Sequence, residues 1–289
     1  MRFGLLWIAC VLCAQDYSEV QVEKATGGLR FAEGPLWSKE NNALLFCDAA
    51  TGTIHALLPG NGLAKFREEM GGPTALAFDL NGKLLIAQSK LRRIVRTSLS
   101  SNPKIEVLAE RFEGKRLNGP NDLAVRKDGH IYFTDPAYGS QIDARELDFD
   151  GIYHLSPTGA LSLIAKPKGR PNGITLSPNG KILYVANSDE RKIYAYDLDG
   201  RGNAANERVI LEKLDGVPGG LRTDEKGNLY IAANHVLIYS PNGKLLHTLH
   251  VSDKPSNLAF GEADLMTLFI TAKTSVYRVK LKVKGAVAE

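Results

Sequence analysis

Apolar and polar residues alternate with a period of two in short runs along this 289-residue chain, the pattern of strands that turn one face to a core. The runs come in pairs. Six segments share one plan: a Pro or Gly, a short apolar alternation, a turn rich in Asp, Asn, Gly or Lys, and a second run of β-formers. They read "EGPLWSKENNALLFCDA" from Glu33, "PTALAFDLNGKLLIAQ" from Pro73, "PNDLAVRKDGHIYFTD" from Pro120, "PNGITLSPNGKILYVAN" from Pro171, "PGGLRTDEKGNLYIAA" from Pro218 and "PSNLAFGEADLMTLFITA" from Pro255. Asn-Gly, Asp-Gly or Lys-Gly between such runs is the chemistry of a β-hairpin. No segment of useful length carries the helical period.

Further strands follow each hairpin, such as "GTIHALL", "RIVRTSL" and "KIYAYDL". Aligning the hairpins puts Glu33, Thr74, Asn121, Asn172, Gly219 and Ser256 in one slot, at intervals of 41, 47, 51, 47 and 37 residues. Four short strands per period of about 40–50 residues is the signature of a propeller blade. The expected fold is all-β: a six-bladed β-propeller of four-stranded antiparallel blades around a central channel, forming one domain over residues 15–289. An unrelated all-β sandwich would not repeat in phase. "YSEVQVEKA" near the N-terminus and "SVYRVKLKV" near the C-terminus both alternate. Pairing them in one blade would remove two open sheet edges. The acidic, irregular stretch from Ala137 to Gly151 is expected to form a loop or lid beside the channel.

Composition narrows the picture. Thirty-six Lys+Arg against 32 Asp+Glu leave a net charge of +4, scattered except for Lys280, Lys282 and Lys284, which argues against a nucleic-acid binder. Met1-Arg2, the apolar run Phe3 to Cys13 and then Ala14-Gln15-Asp16 have the plan of a secretory signal peptide. Removal of residues 1–14 is expected, giving an exported (periplasmic or secreted) mature form. The run is too short for a stable membrane anchor. An apolar first strand or helix of the mature fold is the alternative. Cys10 and Cys13 fall inside the leader, so their C-x-x-C spacing carries no redox or metal role. Cys47, in an apolar run, then stands alone as a small buried hydrophobe.

In a propeller the innermost strands line the channel, so the slot residues ring one of its mouths. Oxygen-bearing side chains with one carboxylate suit a hard divalent cation. Asn and Gly before a strand are also ordinary turn residues, but Glu33 facing a narrow channel needs a cation or a donor. Other catalytic patterns are missing: no G-x-S-x-G, no H-E-x-x-H and no phosphate loop occur. His247 and His250 are expected on opposite faces of a strand, solvated and without a metal.

The segments "FAEGPLWS", "RLNGPNDLAVRKDGHIYFTDPAYG", "PNGITLSPNGKILYVANS", "GLRTDEKGNLYIAA" and "NLAFGEADLMTLFITAKTSVYRV" resemble the gluconolactonase/regucalcin (senescence marker protein) family over about residues 28–280. The resemblance implies a lactonase that uses one divalent cation, Ca²⁺ in first place with Zn²⁺, Mg²⁺ or Mn²⁺ as alternatives, to open sugar-type lactones. The family's metal-binding Glu falls on Glu33 and its metal-binding Asn on Asn172. A substrate-contacting Asn, in some members close to the metal, falls on Asn121, which is thereby a candidate ligand of the cation together with Glu33 and Asn172. Arg116 loosely matches a basic residue that orients substrate. The chain departs from the family at Gly219, where the family writes an Asp that is metal ligand and general base. Asp215 and Asp224 lie nearby in sequence, and neither is an obvious substitute. Two readings follow: a lactonase weakened at Gly219, or a non-catalytic propeller that binds a sugar acid or a protein partner.

Overall fold

The computed structural model describes Tyr17 and residues 19–100 and 103–286; the expected leader, with Cys10 and Cys13, lies outside them. Two of the hairpin turns share one device. In the second blade Asp79 Oδ1 accepts the backbone N–H groups of Asn81 and Lys83, both at 2.9 Å. In the fifth, Asp224 Oδ1 does the same for Lys226 and Asn228, again at 2.9 Å. Gly82 and Gly227 close these turns at φ of 73° and 81°, a region glycine enters without a Cβ penalty. Asp224 is thus a turn residue, as expected.

Six four-stranded antiparallel sheets result among the described residues. From the channel outward, blade 1 runs Ala32–Ser38, Ala43–Asp48, Thr53–Leu57 and Leu63–Arg67. The innermost strands of blades 2 to 5 are Pro73–Phe78, Leu123–Val125, Pro171–Leu176 and Leu221–Thr223. Blade 6 is Asn257–Gly261, Thr267–Ala272, Ser275–Lys280 and, outermost, Glu23–Gly27 from the other end of the chain. Glu23 faces Arg278 and Gly27 faces Ser275 in that antiparallel pair, so the expected closure is found, shifted toward the end of the predicted N-terminal run.

Second strands such as Ala43–Asp48, Leu84–Gln88 and Thr267–Ala272 are buried at every position, because both of their faces pack against neighbouring blades. Between blades 2 and 3, Leu85, Ile94, Leu123, Phe133 and Tyr153 form one such layer; between blades 5 and 6, Tyr230, Ile238, Leu258 and Ile270 form another. Cys47 is fully buried in the layer beneath blade 1, as expected for a small hydrophobe. His247 lies against Tyr17 with ring centroids 4.8 Å apart, and exposed His250 meets His235 edge-on at 4.5 Å; ring packing accounts for both.

At one end of the channel, side-chain hydroxyls stitch four of the six junctions to the next blade. Thr74 Oγ1 donates to Pro120 O (3.1 Å), Thr134 Oγ1 to Asn172 O (2.6 Å), Ser188 Oγ to Pro218 O (3.0 Å) and Ser256 Oγ to Ala32 O (2.6 Å). The last of these joins blade 6 to blade 1. Thr74→Val or Ser256→Ala strands a carbonyl in a poorly solvated junction and is expected to lower the unfolding free energy by about 1–2 kcal/mol. Urea titration followed by circular dichroism measures this; unchanged midpoints would show that the stitches carry no weight.

Candidate functional site

The stitches sort the six slot residues. Thr74 and Ser256 direct their hydroxyls to backbone carbonyls of the next blade, and Gly219 has no side chain. Glu33, Asn121 and Asn172 remain, each partly exposed at the channel mouth.

Asn172 is oriented by its amide. Its Nδ2 donates to Tyr138 Oη at 3.0 Å and to Ser188 Oγ at 3.1 Å. Both N–H donors are therefore used, and Oδ1 is left as the acceptor. Tyr138 comes from the stretch expected as a lid, which is tightly anchored. Asp150 Oδ1 takes the Ala137 amide at 2.9 Å and pairs with Arg145. Gln141 Nε2 donates to Ser89 Oγ at 3.0 Å, and Arg92 Nη1 to Ala144 O at 3.0 Å. Arg170 stacks on the Tyr138 ring at 4.8 Å. The segment is a wall of the mouth, held by packing and hydrogen bonds.

Asn121 sits in a loop set by Asp135, which is wholly buried and accepts the backbone N–H of Asn118 at 2.8 Å and of Gly119 at 2.7 Å. Burial raises this carboxyl to about 7 against those two donors. The Asn121 amide N–H donates to Thr134 O at 2.9 Å, and its side chain makes no hydrogen bond to a described residue. Arg116 lies to the side: its Nη2 donates to Leu91 O at 3.2 Å, and its backbone N–H to Glu146 Oε2 at 2.8 Å. No hydrogen bond connects it to Glu33, Asn121 or Asn172.

Beneath the mouth the structure adds residues that sequence reasoning missed. Asp122, 1% exposed, accepts the Leu123 N–H on Oδ1 at 2.9 Å. Its Oδ2 accepts from Ile174 N at 3.3 Å and Asn257 Nδ2 at 3.4 Å, with Arg222 Nη1 3.9 Å away. Glu33 accepts the Gly34 N–H at 3.3 Å. Crowding by protein, then the neighbouring Asp122 charge, raises Glu33 to about 8, opposed by Gly34, Asn257 and Arg222. Asp122 is likewise raised by burial, with Arg222 the leading opposition. The signal available in the sequence was the acidic residue directly after Asn121 in "PND".

The donor set fits a hard divalent cation: carboxylate and carboxamide oxygens, with Asn172 holding its oxygen outward. Among the described residues no three of His, Cys, Asp and Glu gather as a metal cluster, so amides must complete the coordination. Asp215 is not a replacement for the missing carboxylate. It is exposed, and its Oδ1 takes Asn234 Nδ2 at 3.0 Å. At Gly219 a Cβ would stand 2.5 Å from Ser256 O, and that same carbonyl accepts the Gly220 N–H at 2.9 Å.

Residues 31–274 match the SMP-30/Gluconolactonase/LRE-like region. The chain belongs to this family. It is 33% identical to the gluconolactonase of Zymomonas mobilis over 91% of this chain and 82% of that one. It is 25% identical to the pentonolactonase XacC of Haloferax volcanii over 84% of this chain and 81% of that one. A solved gluconolactonase structure from Xanthomonas campestris superposes with a TM-score of 0.85 at 26% identity, covering 94% of this chain and 92% of that one. Lactone hydrolysis is therefore the activity named for close family members, on a fold this chain shares.

Two measurements test the site as built. Gly219→Ala adds only the crowded Cβ and is expected to destabilise by about 1–3 kcal/mol, because the Ser256 carbonyl must move; a thermal midpoint equal to the parent's would contradict that geometry. The Glu33 carboxyl keeps a proton in the folded chain that the unfolded chain releases near 4.5. Its stabilising contribution is thus complete below about 4.5 and is lost as pH rises to about 8. Asp135 acts with the same sign up to about 7. Cation-free protein should lose stability across this window, and Glu33→Gln should flatten the part of the slope above pH 7 in urea titrations.

Proposed function

We propose that this protein is a lactonase that hydrolyses a sugar-type lactone to its hydroxy acid with one divalent cation, Ca²⁺ in first place, at the channel mouth. The observation that carries this reading is the sorting of the slot. Glu33, Asn121 and Asn172 keep side-chain oxygens for a ligand, while the hydroxyls of Thr74 and Ser256 go to the fold. Glu33 and Asn172 Oδ1 would hold the cation. A cation held there supplies Lewis acidity that polarises the ester carbonyl.

The other roles belong to the chain. Asn121, with its carboxamide unpaired, would bind and orient the lactone. Tyr138 fixes Asn172 and, with Arg170 stacked on it, limits water on that side of the mouth. Glu33 is the carboxylate at the mouth, since Asp122 is sealed beneath it. The general base of the family falls on Gly219, and loss of such a base lowers rate by about 10²–10⁴-fold. The expected enzyme is therefore slow.

A second reading has one observation in its favour: the Ser256 carbonyl occupies the space a side chain at 219 would need. In that reading the protein binds a sugar acid or a protein partner without turnover. The discriminating assay follows acid release from gluconolactone and other aldonolactones with and without calcium. The lactonase reading expects calcium-dependent hydrolysis, abolished in Glu33→Gln and reduced at least about tenfold in Asn121→Ala. Rates equal to Glu33→Gln under all conditions would leave the binding reading.

A further inference from the structure

The channel floor carries a positive charge that nothing in the proposed reaction uses. Arg222 belongs to the innermost strand of blade 5, Leu221–Thr223, and reaches the floor from the opposite end of the channel. There it lines a cavity of about 290 Å³ with Trp37, Lys39, Thr175 and Phe260. Its Nη1 donates to its neighbour's carbonyl, Leu221 O, at 2.6 Å. It stands 3.9 Å from Asp122 Oδ2, with side chains 20% and 1% exposed respectively. It faces the site from behind.

We propose that Arg222 is a positioning residue that acts through Asp122 as a built-in competitor for the cation, setting how tightly the mouth binds it. The inference rests on the reading that Glu33 and Asn172 hold a divalent ion. Its physical basis is charge balance. Asn257 Nδ2 donates to Asp122 Oδ2 at 3.4 Å, and the Asp122 charge acts on Glu33, so the two acidic groups influence one another at the floor. A guanidinium beside Asp122 satisfies part of that potential and repels a second positive charge, and in a poorly solvated channel such effects fall off slowly. Affinity for hard cations follows the negative charge of the site. With Gly219 in place of a third carboxylate, the cation meets a site already partly neutralised.

Neutral replacement of Arg222 should therefore tighten binding, the opposite of what loss of a purely structural side chain does. Calorimetric titration of the full chain with calcium chloride compares the parent with Arg222→Met, Arg222→Lys and Glu33→Gln. Arg222→Met is expected to bind at least about tenfold tighter, and Arg222→Lys to stay within about threefold of the parent. Equal or weaker binding by Arg222→Met overturns the proposal. Without Arg222 the acidic pair Glu33 and Asp122 loses its neighbouring positive charge and burdens the cation-free fold, so circular dichroism is recorded with and without millimolar calcium. A fold of Arg222→Met recovered by calcium supports the proposal, and one not recovered overturns it. If the parent, like Glu33→Gln, binds no calcium, the cation reading of the parent fails. Binding gained by Arg222→Met in that case still supports the competition, and its absence removes both.

Discussion

No blade of this protein can bury both of its faces alone, and the whole structure depends on that constraint. The second strands of blades 1, 2 and 6 are buried at every position because a neighbouring blade covers each side. A row of such sheets has two open ends until it closes on itself. Here Glu23–Gly27 completes blade 6, so the two ends of the domain are fixed in one sheet. Closure then does chemical work. Glu33, Asn121 and Asn172 belong to different blades and share a mouth only because the ring is complete.

The junction hydroxyls show how fold and site divide the same positions. Thr74 and Ser256 occupy the slot that Glu33, Asn121 and Asn172 occupy elsewhere, yet their short side chains reach a carbonyl of the next blade. Where the slot holds Asn172, the stitch at that junction comes from Ser188, in the turn just after the adjoining strand Ile182–Asn187, which also orients the Asn172 amide. The residue that bonds the blades thus also orients the Asn172 carboxamide.

Most of the architecture was legible in the sequence because it is written six times. Turn chemistry, strand period and repeat spacing agree at every hairpin, and the pairing of the chain's ends followed from the edges it removes. The candidate site was read one residue per repeat, which is how Glu33, Asn121 and Asn172 were singled out. The floor was not. The innermost strand of blade 3 begins only at Leu123, so Asn121 and Asp122 precede the ladder and escape its alternation, and both can serve the channel. Asn257 and Arg222 sit one and three places after slots filled by Ser256 and Gly219, whose own side chains give no sign of a charged layer below. The Ala137–Gly151 stretch was read as irregular because its order comes from distant partners, Ser89, Arg92 and Asn172, that local pattern cannot reveal.

The surroundings of Gly219 are fitted to a residue without a side chain. The carbonyl of Ser256 lies 2.5 Å from where a Cβ would stand while accepting the Gly220 N–H at 2.9 Å, so the junction of blades 5 and 6 leaves no room for one. Restoring a carboxylate would require that junction to open, and a simple exchange of side chains does not achieve it. Electrostatics point the same way. Burial, and after it the neighbouring Asp122 charge, already keep Glu33 protonated up to about 8, and Arg222 offsets only part of this. A third carboxylate at 219 would add to a charge excess that the cation-free protein can relieve only by taking up more protons. The geometry of the junction and the charge of the floor thus agree: neither the space at 219 nor the pair of acidic residues beside Arg222 favours a further carboxylate.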